Sequence, residues 1–410
     1  MIDPSQMYKT YSVATLDEVR SIEHSAQRRT LLLVVLRFCV WIYVTVANFA
    51  IRGIKFVAFP GRSQKINSVV VYSEGMLGDT VALLPTVESI RRHYAPATLS
   101  WVMNSGGFRA NEVIDKSIAD SVVLVNSAPI IRKGFRFAFS DSSLAALKCD
   151  VFINLSPLGN RGLIGSVLRE MIFARRTGAS IAAGFRLSSY GRRGILNQVQ
   201  HFFVQNEPRR GNQVLRELGI PPAEHRDLLP RNREVQNAME QQYLSGVKNK
   251  RIVLMNLGAK FGTKKWGTAR FAEACKKLIN EENAYVILAG TAEDAAAAES
   301  IVQGCPGGAC SAAGCTSLQQ LIELGRLADL CISNDTGTMH MTAMCGTPTI
   351  GLFTTRMSPA HWFPGGASVR VLFSFSPSTY SFDDGDVTHD SLASITVDSV
   401  VAAAHNVLSH

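Results

Sequence analysis

From residue 66 to the C-terminus, apolar runs of strand length alternate with segments whose apolar residues recur at helical spacing. This alternation narrows the fold more than any other feature. Strands separated by helices pair in parallel and need cover on both faces of the sheet. In the first series, strands are expected at 66–73, 98–103, 121–125, 151–155 and 181–185, with a helix over 79–94. The polar passage 207–249 carries Pro221, Pro222 and Pro230 and separates this series from the next. The second series has strands expected at 251–257, Ala284–Ala289, 329–333 and Thr349–Phe353, and helices at 271–279, 293–303 and 317–326. The expected architecture is two doubly wound, Rossmann-like domains facing a cleft. They cover 66–235 and 236–410, after an N-terminal tail and helix over 1–65. Ligands of such sheets sit beyond the carboxyl ends of the strands.

The stretch 329–353, DLCISNDTGTMHMTAMCGTPTIGLF, has the most specific pattern. It reads as strand, sharp turn, short helix and strand, with Gly346 and Pro348 stopping the helix. A turn of this kind points free backbone N–H groups and the positive end of a helix dipole above the strand ends. That suits an anion such as phosphate. Gly337 lets the backbone approach closely, and Asp335 and Thr336 are candidates to cap the helix. An ordinary capped helix in an α/β domain has the same spacing.

Two further loops carry candidate chemistry. In 75–85, GMLGDTVALLP, Asp79 falls at the start of a helix, either facing the cleft or simply complementing the helix N-terminus. In 257–271, LGAKFGTKKWGTARF, Lys260, Lys264 and Lys265 stand among glycines and suit a diphosphate. The spacing is not that of a P-loop, so nucleotide hydrolysis is not indicated. After the Ala284–Ala289 strand, Glu293 either reaches a ribose hydroxyl or is a first-turn carboxylate of the next helix.

Ahead of the alternation lies TLLLVVLRFCVWIYVTVANFAIRGIKFVAF, residues 30–59, with Arg37 the only charge in 31–51. Its length suffices to span a bilayer. On a helical projection Thr30, Arg37, Thr45, Asn48, Arg52 and Lys55 form one narrow stripe, which suits a helix lying in a membrane interface. A helix packed on the protein itself is the alternative, and spanning versus lying flat stays open. Since the sheets are expected to begin at Ile66, removal of residues 1–59 is expected to leave a folded enzyme. The net charge of +9 asks for an acidic partner. Cys305, Cys310 and Cys315 are evenly spaced, but no neighbouring His or fourth Cys completes a zinc pattern, so reduced thiols in a cytosolic setting are expected.

Four blocks in order, GDTVALLPTVESIRRHYAPATLSWV, GAKFGTKKWGTARFAEACKKL, SNDTGTMHMTAMCGTPTIGLF and ITVDSVVAAAHNVL, resemble the lipopolysaccharide heptosyltransferases, glycosyltransferase family 9. The resemblance spans roughly residues 66–410. It implies a GT-B fold and an inverting, metal-independent transfer from a nucleotide sugar, typically ADP-heptose, with no bound cofactor. It further implies Asp79 as catalytic base and Lys264 on the donor diphosphate. Gly258, Glu293, Asp335, Thr336, Gly337 and His340 would also hold the donor. The setting it implies is the cytoplasmic face of the inner membrane. Three departures stand out: Gly267 in place of a proline after the tryptophan, Thr354, Thr355 and Arg356 in place of Gly-Pro-Thr, and Ser73 with Glu74 where a basic or small residue is common.

Between Arg161 and Arg193 there are seven arginines and one acid, Glu170. An anionic glycan or phosphorylated lipid-linked acceptor would be drawn to them, as would an anionic membrane. No recognised module or interleaved aromatics accompany the charge, which argues against nucleic acid as a partner. Two other classes fit the same scaffold: a nucleotide-sugar epimerase, needing no acceptor, and a non-catalytic membrane-tethered nucleotide-sugar binder, in which Asp79 is dispensable.

Overall fold

The computed structural model describes residues 9–13, 15, 17–19, 21–22, 31–61, 65–104, 110–124, 147–156, 164–186, 207–353, 363–366, 368–375, 392 and 394–409. In chain order the first series is β1 (Lys9–Val13), α1 (Leu31–Ala58), β2 (Ser68–Glu74), α2 (Leu77–Tyr94), β3 (Thr98–Asn104), β4 (Ser121–Leu124), β5 (Val151–Asn154), α3 (Ile164–Arg176), β6 (Ile181–Ala183) and α4 (Glu207–Glu217). The second is α5 (Arg233–Leu244), β7 (Arg251–Asn256), α6 (Thr268–Glu281), β8 (Ala284–Ala289), α7 (Ala295–Gln303), β9 (Ala309–Ser311), α8 (Leu318–Leu327), β10 (Leu330–Asn334), α9 (Gly337–Met344), β11 (Thr349–Phe353), β12 (Val369–Phe375) and α10 (Val397–Leu408). The chain divides into two units, one of residues 28–224 and one joining 1–27 to 225–410.

In the first unit five strands pair in parallel in the order β4-β3-β2-β5-β6. The run Val69–Tyr72 of β2 is buried throughout, as expected of a central strand covered on both faces. Val70 and Tyr72 share a core cluster with Phe152 of β5 and with Val167, Met171 and Phe173 of α3. Ala47 and Ile51 of α1, and Phe59 just beyond it, belong to the same cluster. The helix expected in a membrane is therefore packed along one face onto its own sheet. Among the described residues no helix is long and apolar enough to cross a membrane.

Among the described residues the second unit has seven strands, in the order β1-β12-β11-β10-β7-β8-β9. All neighbours are parallel except β1, which pairs antiparallel with β12 at one edge, Tyr11 opposite Phe373. Successive residues of a strand face opposite sides. Val253 and Met255 accordingly pack with α6, α7 and α10, while Leu254 packs with Met239 and Tyr243 of α5 and Leu324 of α8. The N-terminal tail expected within 1–65 is corrected at Lys9–Val13, which forms a strand. KTYSV is too short and mixed to signal a strand, and the free edge of β12 supplies the reason for one. β9 and β12 were likewise not expected from the pattern.

Both sheets reverse direction once. In the first the chain runs outward from β2 through β3 and β4, then returns to place β5 beside β2. In the second it runs from β7 through β8 to β9 and returns to place β10 beside β7. At such a switch point the loops leaving the two central strands diverge and open a crevice. The loops after β2 and β7, and the turn after β10, all lie at these points.

Candidate functional site

In the second unit, β10 ends in Ser333 and Asn334, both fully buried, and the chain turns through Asp335 and Thr336 into α9. Thr336 occupies the N-cap position, but its side chain makes no capping bond to the helix. Instead its hydroxyl accepts from Asn256 Nδ2 at 3.2 Å and lies 3.3 Å from Ser333 Oγ. The capping expected of Thr336 is thus replaced by a bond back towards β7. The first amides of α9, which have no carbonyl partner within the helix, remain without a capping hydroxyl. On this eight-residue helix they present N–H groups of the kind that can meet an anion.

Asp335 is buried and ion-paired with Lys264, whose side chain is itself mostly buried. Lys264 lies in a single 3₁₀ turn, Gly262–Lys264, in the loop after β7. The loop is anchored at its far end by Trp266, which is fully buried, donates through Nε1 to Ile395 O at 2.7 Å and meets Phe271 edge-on. The Trp266 amide donates to Asn334 Oδ1 at 3.1 Å. Asn334 Nδ2 donates to Leu257 O at 3.0 Å, and Asn256 Nδ2 reaches Gly258 O at 3.2 Å and Ser333 Oγ at 3.1 Å. Two asparagines at the ends of the two central strands therefore hold the lysine loop and the Asp335 turn together. Sequence reasoning missed both. The available signal was an amide residue terminating each of two otherwise apolar central strands, a position where only a side chain with donors and an acceptor satisfies two loops at once.

His340 lies one turn inside α9 and is buried. Burial pushes its imidazole down to about 4, with Asp335 opposing and Lys264 assisting the shift. The ring is therefore neutral near pH 7. Lys265 points away from Lys264 and pairs with Asp294 at 2.7 Å. Asp294 also accepts from the Thr291 amide at 3.0 Å and hydroxyl at 2.9 Å, and is buried. A Cβ on Gly258 would stand 2.8 Å from Asp294 Oδ2, so the backbone after β7 comes close only because this residue has no side chain. Glu293 is exposed in the 3₁₀ turn Ala292–Asp294 that leads into α7. Lys260 is also exposed, its ammonium 5.8 Å from the Phe261 ring centroid. The structure brings together Lys264, Asp335, Thr336, Gly337 and His340, and places Gly258 beside Asn256 and Asn334.

Gly267 follows the anchor tryptophan at φ +104° and caps α6. Proline is confined near −65° and cannot take this path. The departure noted in the sequence is therefore a different backbone route out of the lysine loop. Thr354, Thr355 and Arg356 lie outside the described residues, as do Arg161, Arg192 and Arg193 and the side chain of Arg169.

In the first unit, α2 begins at Leu77 and runs through Pro85, so 75–85 is mostly helix rather than loop. Asp79 is the third residue of α2, and its carboxylate accepts from the Met76 amide. Gly75 sits at φ +151°, and a Cβ there would meet the Asp79 side chain at 2.5 Å. The capping geometry is thus present, and it holds Asp79 at the switch point beside the end of β2. Among the described residues no group of three or more His, Cys, Asp or Glu is placed to hold a metal ion.

A family model described as glycosyltransferase family 9 (heptosyltransferase) matches residues 172–389, more than half of the chain. The lipopolysaccharide heptosyltransferase 2 of Salmonella typhimurium is 31% identical over 160 residues, 37% of this chain and 45% of that protein. The alignment therefore spans less than half the length of that relative. Among solved structures, a family 9 glycosyltransferase from Veillonella parvula has a TM-score of 0.61 at 20% identity, covering 84% of this chain and 99% of that one. The ADP-heptose lipopolysaccharide heptosyltransferase II of E. coli has a TM-score of 0.56 at 19% identity, covering 83% and 98%. At these identities the likeness shows the fold: α/β with parallel sheets, that of the GT-B heptosyltransferase structures.

Proposed function

The chain belongs to glycosyltransferase family 9, the heptosyltransferases, and on that premise we propose that it moves a sugar from a nucleoside diphosphate donor to a glycan hydroxyl with inversion. ADP-heptose is the donor favoured by the likeness to the ADP-heptose heptosyltransferase II of E. coli, and a lipopolysaccharide-type or other anionic glycan the acceptor favoured by the likeness to lipopolysaccharide heptosyltransferases. The setting that suits such an acceptor is the cytoplasmic face of the inner membrane.

The observation that carries this reading is the pairing of Lys264 with Asp335 at the uncapped start of α9. A leaving nucleoside diphosphate gains negative charge in the transition state. In this reading Lys264 and the first amides of α9 meet that charge. Asp335 holds the ammonium in place, and Asn256 and Asn334 hold the two backbone segments. A sugar hydroxyl is a weak nucleophile near neutral pH, so a positioned carboxylate must take its proton as it attacks. Asp79 is assigned this role, with Gly75 and the Met76 amide fixing its orientation.

The test is a panel of nucleotide sugars, each incubated with the full chain with and without a lipopolysaccharide-core acceptor. Acceptor-dependent release of nucleoside diphosphate from ADP-heptose is expected. Donor conversion without acceptor would instead support an epimerase. Donor binding without any turnover would support a tethered binder.

A further inference from the structure

Helix α1 has two apolar faces, and the fold uses one. Ala47 and Ile51 pack into the core of the first unit, Ile51 being 1% exposed. On the opposite side Phe49, Phe56 and Val57 are 79%, 81% and 81% exposed, with Ile42 and Val46 continuing the same stripe. A helix projection at 100° per residue places these five within one side of the cylinder, away from Ala47 and Ile51. Arg52 is exposed on the flank between the two faces, and Lys55 on that flank is tied to Glu217 of α4. A contiguous aromatic and aliphatic stripe of this kind marks an interaction surface.

We infer that α1 lies flat on an anionic lipid bilayer, its outward stripe among the acyl chains and its inward face still docked on the protein. Three observations select this occupant. First, α1 contains no acidic residue, and no described helix is long and apolar enough to cross a membrane. A helix whose inner side is sealed into a protein core has lipid on one side alone, which is the interfacial arrangement. Second, positive charge surrounds the base of the helix. Phe59 stacks on Phe185 with ring centroids 6.2 Å apart and shares a core cluster with Phe173 and Ala174 of α3, and the Gly61 amide donates to Ser180 O at 3.0 Å. α3 ends there in exposed Arg175 and Arg176, with exposed Lys148 donating to Arg176 O at 3.4 Å. Third, the formal net charge of +9 favours an anionic surface over a second copy of this equally basic chain.

This inference does not rest on the transferase reading, because binding is measured without donor or acceptor. Full-length protein is sedimented with vesicles of phosphatidylglycerol and phosphatidylethanolamine, and with vesicles of phosphatidylcholine alone. Wild type is expected to bind the anionic vesicles, more weakly at high salt, and the neutral ones poorly. Phe49→Asp with Phe56→Asp changes only exposed positions. It should keep the melting temperature and lose at least tenfold in vesicle affinity. Arg175→Glu with Arg176→Glu should weaken anionic binding and leave neutral binding alone. Retained vesicle binding by the Phe49→Asp, Phe56→Asp protein would overturn the proposal. So would a dimer, dissolved by that substitution, in a wild type that ignores vesicles. A lowered melting temperature in that variant would equally overturn it, since the stripe would then be packed.

Discussion

Lys264 and Asp335, seventy-one residues apart, form an ion pair that joins the loop after β7 to the turn after β10. The pair spans the switch point of its sheet and lies at the uncapped end of α9. Its energetic worth and its functional worth are separable, because a buried ion pair replaced by apolar residues costs little, whereas half of one costs much.

Lys264→Ala should lower stability by about 1–3 kcal/mol, since it leaves a buried carboxylate without its cation. It should also weaken nucleoside diphosphate binding at least tenfold. Lys264→Met combined with Asp335→Leu should recover most of the stability and none of the binding. Thermal melts and titration calorimetry on the same proteins check both. Restored binding in the double variant would place the diphosphate elsewhere.

Asp79→Asn keeps size and a side chain able to accept from the Met76 amide, so the stability loss should stay within about 1 kcal/mol. Transfer should fall roughly a hundredfold or more if Asp79 takes the acceptor proton. Donor affinity should hold. Near-normal transfer would reduce Asp79 to the cap that the structure displays.

Asn256→Ala removes donors to Gly258 O, Ser333 Oγ and Thr336 Oγ1. A stability loss of about 1–3 kcal/mol is expected from the orphaned buried groups. Donor KM should rise, because Thr336 is then free to swing round and cap α9. A crystal structure of the variant and steady-state kinetics check this. An unmoved Thr336 with unchanged KM would contradict it.

His340 is held down to about 4, below its ordinary value near 6.5. Between these values the unfolded chain binds the proton and the folded chain does not. The contribution of His340 to stability is therefore complete above about pH 6.5, falls as the pH drops through that window and is gone below about 4. A loss of about 3 kcal/mol across the window follows from the size of the shift. His340→Gln should flatten the melting temperature against pH there, and an unchanged slope would assign the acid sensitivity to other groups.

Removal of residues 1–59 was expected from the pattern to leave a folded enzyme, and the structure reverses that expectation. The segment carries β1, which covers the edge of β12 and buries Val13, and it carries Ala47 and Ile51 of the other core. Deleting residues 1–14 alone should cost about 1.5–3 kcal/mol through Val13 burial. Deleting 1–59 should also expose the α1-facing side of Val70 and Tyr72 and give an aggregating protein. Size-exclusion chromatography and melts of both truncations check this.

How much of this was legible beforehand depends on the range of the interactions concerned. The central strands were legible because each is buried on both faces and so carries an unbroken apolar run. β8 was located to the residue, and β2, β7 and β10 to within two. The Asp335 turn and the Lys264 loop were legible because a helix start and clustered cations are local patterns. β1 and β9, the edges of the second sheet, were not, since such short strands are selected by the neighbour they pair with rather than by their own composition, and β12, which lies inside that sheet between β1 and β11, was not expected either. Asn256 and Asn334 were equally silent, because their roles consist of bonds across 68 to 80 residues of chain. Two parallel-sheet units and the chemical types at the loops follow from the residue pattern alone. Tertiary structure alone decided that Thr336 turns from its helix to Asn256, that Lys265 turns from Lys264 to Asp294, and that α1 packs one apolar face inward. Each of these is a choice between partners of similar intrinsic strength, settled by which of them the packed sheets bring within hydrogen-bonding or van der Waals reach.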